Sequence, residues 1–366
     1  MSRFRLLFVA FAVLTMCLAA PTLPFVHSGT TAHAAPAAQS AANLTNRPFL
    51  GAAVWSKYGS LTSSRYASTF LKRFNSLTAE NEMKMRFLQP RKGQFTFSKA
   101  DRLVNWARAH GKRVRGHALI YDESAFVVQA GNACVKLREQ LPRRPHAATT
   151  LKQMALAMAG FMRAHITTVM QHFKGRVQQW DVVNEAFAPN GGFNPTPEFN
   201  CIGPEYVALA FKFARAADPS AKLFYNENGA ELPGPRSFAA YSMVKQFRAT
   251  GVPIDGMGFQ AHVSAGFDVG AFGRTLDAFT GLGVDVEITE LDVGQPGGQE
   301  AAQTATLVAI THACIDRPPC TGITVWGVDD GHSWRRKEMS SPLPIDANYR
   351  PKPSYTAMFQ LLTGGP

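Results

Sequence analysis

From residue 49 onward the sequence alternates short apolar, β-rich runs with longer stretches of helical periodicity, and it does so eight times. The strand-like runs fall at 49–55, 76–80, 113–121, 177–185, 222–226, 256–262, 284–291 and 322–328. Helix-like runs fall near 61–74, 99–110, 151–173, 205–217, 235–250, 268–280, 299–313 and 353–362. In the third of these, Leu151, Met154, Ala155, Met158, Met162, His165 and Val169 recur on one face, a core stripe rather than a cofactor strip. A chain of 366 residues has room for one large barrel or two ordinary domains. Regular alternation with short connections favours parallel βα units, and eight such units close on themselves. The expected fold class is α/β, a single (β/α)8 TIM barrel over residues 47–363, with no internal repeat and no linker after residue 46.

In such a barrel the functional groups sit at the C-terminal ends of the strands. The polar residues follow that rule. WDVVNEAF (180–187) and EITELDV (287–293) are apolar runs that lead into Glu185 and Glu290. A carboxylate closing a buried strand needs a partner or a chemical task, because Asp and Glu are almost never fully buried unpaired. Two of them can divide the work of glycosidic cleavage, one protonating the leaving oxygen and the other attacking or stabilising the sugar cation. TAENEMK (78–84) follows the second strand, and His117 lies in the third. Asn184 precedes Glu185; Gln260 and His262 end the sixth strand; Asp292 accompanies Glu290; Trp326, Asp330 and Trp334 follow the eighth. Residues two apart in a strand share a face, so Gln260 and His262 are expected together, as are Glu290 and Asp292. Taken singly, His117 or His262 is as well read as a bonded core histidine, Glu80 with Lys84 as a helix-surface ion pair, and the tryptophans as rim packing. Those readings leave unexplained why such groups gather at the same end of six strands.

Ahead of the barrel, Arg3 and Arg5, the apolar run Leu6–Ala20 and Ala32-His33-Ala34 make residues 1–34 read as a secretory signal peptide. The rival reading, a membrane anchor, meets an apolar run shorter than the ~20 residues a span needs. Met16 before Cys17 fits a lipid-attachment site poorly. Residues 35–46 read as a flexible connector, and Asn43 is a glycosylation sequon only in a eukaryotic source. Without the leader the chain carries 36 basic and 26 acidic residues, a formal +10. That charge is open to two readings, an affinity for acidic polysaccharide or scattered surface charge. The basic residues form no block with interleaved aromatics, which argues against nucleic acid. Four cysteines remain, and in an oxidising compartment an even count favours disulfides. Cys314 and Cys320 bracket the turn IDRPP and suit a local bridge, leaving Cys134 and Cys201 to pair by elimination. The alternative, a metal site, lacks any CxxC spacing.

At these residues the sequence resembles glycoside hydrolase family 10, the retaining endo-1,4-β-xylanases on a (β/α)8 barrel. The resemblance spans about residues 47–363 and rests on TAENEMK, RGH, WDVVNEA, FQAH, ITELD, TVWGVDDGHSW and YRPKPSY in family order. It implies that Glu185 is the acid/base and Glu290 the nucleophile. His262 would bond Glu290 and be oriented by Asp292, and Asn184 would hold the sugar 2-hydroxyl. Glu80, Asn81, Lys84 and His117 match glycone-binding positions, Gln260 matches a cleft position, and Trp326 and Trp334 would wall the sugar faces. No metal or organic cofactor is implied. CIDRPPCTGITVWG also resembles a disulfide arrangement before the last strand of some members.

The chain departs from the family in two places. Tyr121 stands where a tryptophan is usual, followed by DESAFVVQAGNACVKLREQLPRRPH in place of the expected loop. The family's Asn-Asp-Tyr-Asn after strand five is here Asn226-Glu227-Asn228-Gly229. Tyr121 is expected to line the cleft near Glu80 and His117. The expectation is a secreted, cofactor-independent monomer whose partner is xylan, with no nucleic acid and, once the leader is removed, no membrane. The rivals are a related barrel acting on glucan, mannan or mixed β-linked chains, and a carbohydrate-binding or inhibitor barrel without turnover.

Overall fold

The computed structural model describes residues 48–58, 61, 64–141, 147–295 and 298–364. The expected leader (1–34), the connector (35–46) and the Asn43 sequon lie outside the described residues. Nine strands are present among them: β1 (Phe49–Val54), β2 (Ser76–Ala79), β3 (Arg113–Gly116), β4 (Gln179–Asn184), β5 (Lys222–Glu227), β6 (Gly256–Phe259), β7 (His262–Ser264), β8 (Asp285–Gly294) and β9 (Cys320–Val325). Every pairing is parallel. β1 pairs with both β2 and β9, and β6 pairs with β8, so β1–β6, β8 and β9 close an eight-stranded barrel. The short β7 lies along the far end of β8, from Asp292 to Gly294.

The strands are apolar because both faces are covered, by the lumen on one side and by helices on the other. Every residue of β1 and β4 is buried. Large and small side chains alternate across paired strands to fill the lumen. Phe224 on β5 is registered with Gly256 on β6, where a Cβ would lie 2.2 Å from the phenyl ring. The helix Ala147–Phe173 buries Met158, Met162, His165 and Val169 of its expected stripe, while Leu151, Met154 and Ala155 are half-buried. His165 bonds Gln89 through Nδ1 at 2.7 Å, and burial lowers it to about 4, so it is a neutral core histidine.

Three elements differ from the sequence reading. The strand expected over 256–262 is two strands, because Ala261 adopts φ 58 and ends the ladder after Phe259. Simple alternation is therefore not what brings Gln260 and His262 together. The strand expected over 113–121 ends at Gly116; beyond it the His117–Ala118 peptide is cis, and only a bridge from Ile120 to Val183 resumes the pairing. The replaced third loop holds the helix Ala125–Gln140, and the fourth loop holds a short one, Pro197–Ile202. The longer helix buries only Val127, Gly131 and Cys134, a stripe too narrow to stand out in the sequence. It approaches the shorter one at Gly131, where a Cβ would sit 2.5 Å from Pro197 Cα.

Both expected disulfides are formed: Cys314–Cys320 before β9, and Cys134–Cys201 between these two loop helices. The second crosslinks residues 67 apart. By chain-entropy arithmetic a loop of that size stabilises by up to about 4 kcal/mol. Replacing Cys134 and Cys201 together by alanine should lower the urea midpoint accordingly while leaving the circular dichroism of the barrel intact; an unchanged midpoint would show the crosslink to be energetically idle.

Candidate active site

The lumen carries charge beneath its mouth. Arg115 on β3 is buried and bonds Asp181 on β4 through Nε (3.1 Å) and Nη2, and Glu287 on β8 through Nη1. Glu287 also accepts from Gln179 at 2.8 Å and from the Thr321 hydroxyl. Burial would raise Asp181, but Arg115 and His117 outweigh it and hold the carboxyl below its ordinary value. Burial raises Glu287 despite Arg115. One step further up, His117 Nδ1 donates to Asp181 Oδ2 at 2.9 Å, and the same nitrogen lies 4.0 Å from Glu290 Oε1.

Glu290, on β8, is 5% exposed. Its Oε1 accepts from Asn226 Nδ2 at 2.8 Å and its Oε2 from His262 Nε2 at 3.1 Å. The other nitrogen of His262 donates to Asp292 Oδ2 at 2.9 Å. An imidazole with a carboxylate on each nitrogen must donate from both, so it is an imidazolium. Burial pulls His262 down, but the bonds and charges of Asp292 and Glu290 prevail and raise it to about 10. Asp292 is also bound by Arg335 Nη1 at 2.6 Å and Trp334 Nε1 at 2.9 Å. Negative and positive groups thus alternate from Glu290 through His262 and Asp292 to Arg335.

Glu185 lies just past β4 with φ 55, and its side chain is partly exposed. Gln260 Nε2 donates to its Oε1 at 2.8 Å, and the Tyr121 hydroxyl donates to its Oε2 at 3.4 Å. The two glutamates belong to one network. Asn184 Oδ1 accepts from Gln260 Nε2 at 3.3 Å and from Asn226 Nδ2 at 2.8 Å, and that same Nδ2 reaches Glu290. Thr289 donates to Asn226 Oδ1 at 2.6 Å, which fixes the orientation of the amide. Asn184 Nδ2 is buried and has no acceptor among the described residues.

A cavity of about 520 Å³ opens beside Glu185, lined among others by Lys84, Tyr121, Glu123, Asn184 and Asn194. Lys84 reaches Asn81 Oδ1 at 3.4 Å and lies over the Tyr121 ring at 5.6 Å, while Asn81 Nδ2 donates to Glu80 at 3.4 Å. Burial lifts Glu80 to about 7, with Glu82 and Glu290 adding to the rise and Lys84 and Asn81 opposing it. Tyr121 is raised by burial and by Glu185 and Glu290, which keeps its hydroxyl protonated. Trp326 meets His117 edge-on at 5.2 Å, and Trp334, 51% exposed, meets His262 at 5.1 Å.

Residues 40–361 match the family model described as glycosyl hydrolase family 10. The chain belongs to that family. Endo-1,4-beta-xylanase 3 of Hypocrea jecorina is 34% identical over 312 residues, covering 83% of this chain and 80% of that protein. Among solved structures, native xylanase 10B from Thermotoga maritima superposes with a TM-score of 0.76 at 31% identity, covering 87% of this chain and 96% of that one. Xylanase 10B from Thermotoga petrophila, solved in complex with xylobiose, gives 0.75 at 30% identity, covering 87% and 95%.

In this family 10 barrel the candidate residues named from the sequence gather around Glu185 and Glu290 except Asp330, which pairs instead with Lys352 at 2.7 Å and accepts from the Leu343 amide at 2.8 Å. Glu80, Asn81 and Lys84 form one cluster that touches the rest through Tyr121. Sequence reasoning missed Asn226, Arg115, Asp181, Glu287 and Arg335. Asn226 and Asp181 carried a usable signal, a polar residue inside or closing an apolar strand, the same one that singled out Glu185.

The charged His262 links stability to pH. The folded state holds its proton more tightly than the unfolded chain, so the stabilisation is complete below about pH 6.5 and is lost as pH rises toward 10. Urea titrations of the wild type should show stability falling across that window, and His262→Gln should be weaker at neutral pH with a flatter profile. Parallel profiles for the two proteins would contradict the charge assignment.

Proposed function

We propose that this protein is an endo-1,4-β-xylanase that hydrolyses internal bonds of xylan with retention, using Glu185 as acid/base and Glu290 as nucleophile, and that it is exported by its leader. The observation that carries this reading is the network running from Glu290 through Asn226, Asn184 and Gln260 to Glu185, with the Asn184 amide left free to donate. The two carboxyls occupy different surroundings. Glu290 accepts from an imidazolium and an amide, which fix both of its oxygens in place. Glu185 faces the cavity and accepts from two neutral donors, which suits a group that must give and take a proton. The names of the relatives and the xylobiose complex support xylan as the substrate class, and two disulfides support an oxidising compartment.

In the first step Glu290 Oε attacks the anomeric carbon, the glycosidic C–O bond breaks, and Glu185 gives its proton to the departing oxygen. In the second, water attacks the same carbon, the ester bond to Glu290 breaks, and Glu185 takes the water's proton. Asn184 Nδ2 would hold the 2-hydroxyl of the sugar at the cleavage point, a contact that strengthens as the transition state forms. Glu80, Asn81, Lys84 and His117 would bind the glycone, with Trp326 and Trp334 as its walls.

The stereochemistry is the direct test. Proton NMR of early hydrolysis should show the β-anomer first, and an α-anomer first product would reject retention. Glu290→Ala should abolish turnover and, with azide, yield an α-glycosyl azide. Glu185→Ala should lose about 10²–10⁴-fold in kcat/KM on xylan and give a β-glycosyl azide; the reverse pattern would exchange the roles.

Tyr121 bears on specificity. Its ring lies beside Lys84 and His117 and its hydroxyl needs a polar partner, so the subsites it borders are more polar than an indole would make them. Tyr121→Trp should change the ratio of xylan to glucan activity without altering the anomer formed. An unchanged ratio would remove Tyr121 from the specificity determinants.

A further inference from the structure

Glu185 holds a left-handed backbone conformation that is unfavourable for a residue with a Cβ and persists only when its surroundings over-determine it. The surroundings are on β5. Glu185 N–H donates to Asn226 O at 3.0 Å, Ala186 N–H to the Tyr225 hydroxyl at 3.0 Å, and Phe187 N–H to Glu227 Oε2 at 3.2 Å. Three successive amides are thus tied to three successive residues of the neighbouring strand. The carbonyl of Glu185 accepts from Asn194 Nδ2 at 2.8 Å.

Glu227 and Tyr225 are both completely buried, and neither touches the cavity beside Glu185. A carboxylate in such a place needs a reason. Its oxygens collect donors only: Phe187 N–H and the Tyr225 hydroxyl on Oε2, and Asn228 N–H on Oε1 at 3.1 Å. Burial lifts the Glu227 carboxyl to about 8; the Tyr225 hydroxyl, the two amides and the Arg236 guanidinium all oppose that rise, so each of them favours the anion. The carbonyl of Glu227 accepts from Gln260 N–H at 3.1 Å, and Gln260 is the residue whose side chain donates to Glu185 Oε1. Glu227 therefore holds both the turn that aims Glu185 and the side chain that grips its carboxyl.

We propose that Glu227 and Tyr225 are positioning residues for Glu185: together they clamp the amides of residues 186 and 187 and so fix where the Glu185 carboxyl meets the leaving oxygen. The clamp rests on Glu185 being the acid/base. A carboxyl suits it because both of its oxygens can accept from the surrounding donors, whereas an amide at position 227 would turn an N–H₂ toward one of them.

The test compares two substrates that differ in their need for protonation. Xylotetraose has a poor leaving group, whereas dinitrophenyl β-xylobioside has a good one and needs little acid assistance in its first step. In Glu227→Gln and in Tyr225→Phe, the ratio of kcat/KM for xylotetraose to that for the aryl glycoside should fall about tenfold or more, with Glu227→Asp recovering part of it through its retained carboxyl oxygens. A merely structural role would lower both constants together, leaving the ratio unchanged while the melting temperature falls; that result, or no loss in either variant, would overturn the clamp. Should Glu227→Gln fail to fold, Tyr225→Phe carries the same comparison. Glu185→Ala is the control. If its ratio does not fall, the acid/base assignment itself is wrong and the clamp goes with it; if its ratio falls and the others hold, only the clamp is wrong.

Discussion

Charge compensation inside a dry barrel is the constraint on which the rest depends. Two carboxylates, Asp181 and Glu287, lie in the lumen under the mouth, and Arg115 lies between them. Removing one partner of such a buried group costs about 3–5 kcal/mol, because the others are left without a counter-charge. Asp181 is then free to accept from His117, which brings that ring to the underside of Glu290. Above it the pattern repeats with His262 between Glu290 and Asp292, and Arg335 on the far side of Asp292. Each anion has a cation beside it. Glu290 thereby sits between the rings of His117 and His262 at the floor of the cleft.

The second glutamate is held by other means. Among the described residues no cation bonds Glu185; its position comes from backbone geometry, from Gln260, and from the unusual neighbour Tyr121. The barrel thus treats its two mouth carboxyls asymmetrically, and the proposed division of roles follows from that asymmetry. The loops that differ from the family pattern surround the Glu185 side. The third loop is folded into a helix and stapled through Cys134–Cys201 to the fourth, and the changed residues that begin at the end of β5 include Glu227.

Much of this was legible in the sequence, for a physical reason. Parallel barrel strands are mostly apolar, so a polar residue at their ends stands out, and Glu185, Asn184, Glu290, Asp292 and His262 could be picked on that basis. Asn226 and Asp181 broke the same apolar pattern. What hid them was that their work is to bond other side chains rather than substrate. Arg115 was missed because an arginine near a strand start reads as a solvated end; its burial depends on two carboxylates from strands far away in sequence. Gln260 and His262 do reach the site together, yet through the bend at Ala261 rather than through strand alternation. The helix Ala125–Gln140 was obscured by its narrow apolar stripe, since most of its surface faces solvent or the opposing loop helix.

The central claim is that Glu290 becomes covalently bonded to sugar. An activated fluoro-sugar xylobioside, slow to leave the enzyme once attached, would accumulate the glycosyl-enzyme for proteolysis and mass spectrometry. The expected result is one added glycosyl group per chain, carried by the peptide that contains Glu290 and absent from Glu290→Gln. A label on the peptide containing Glu185, or inactivation with no covalent mass added, would contradict the assignment on which the functional reading rests.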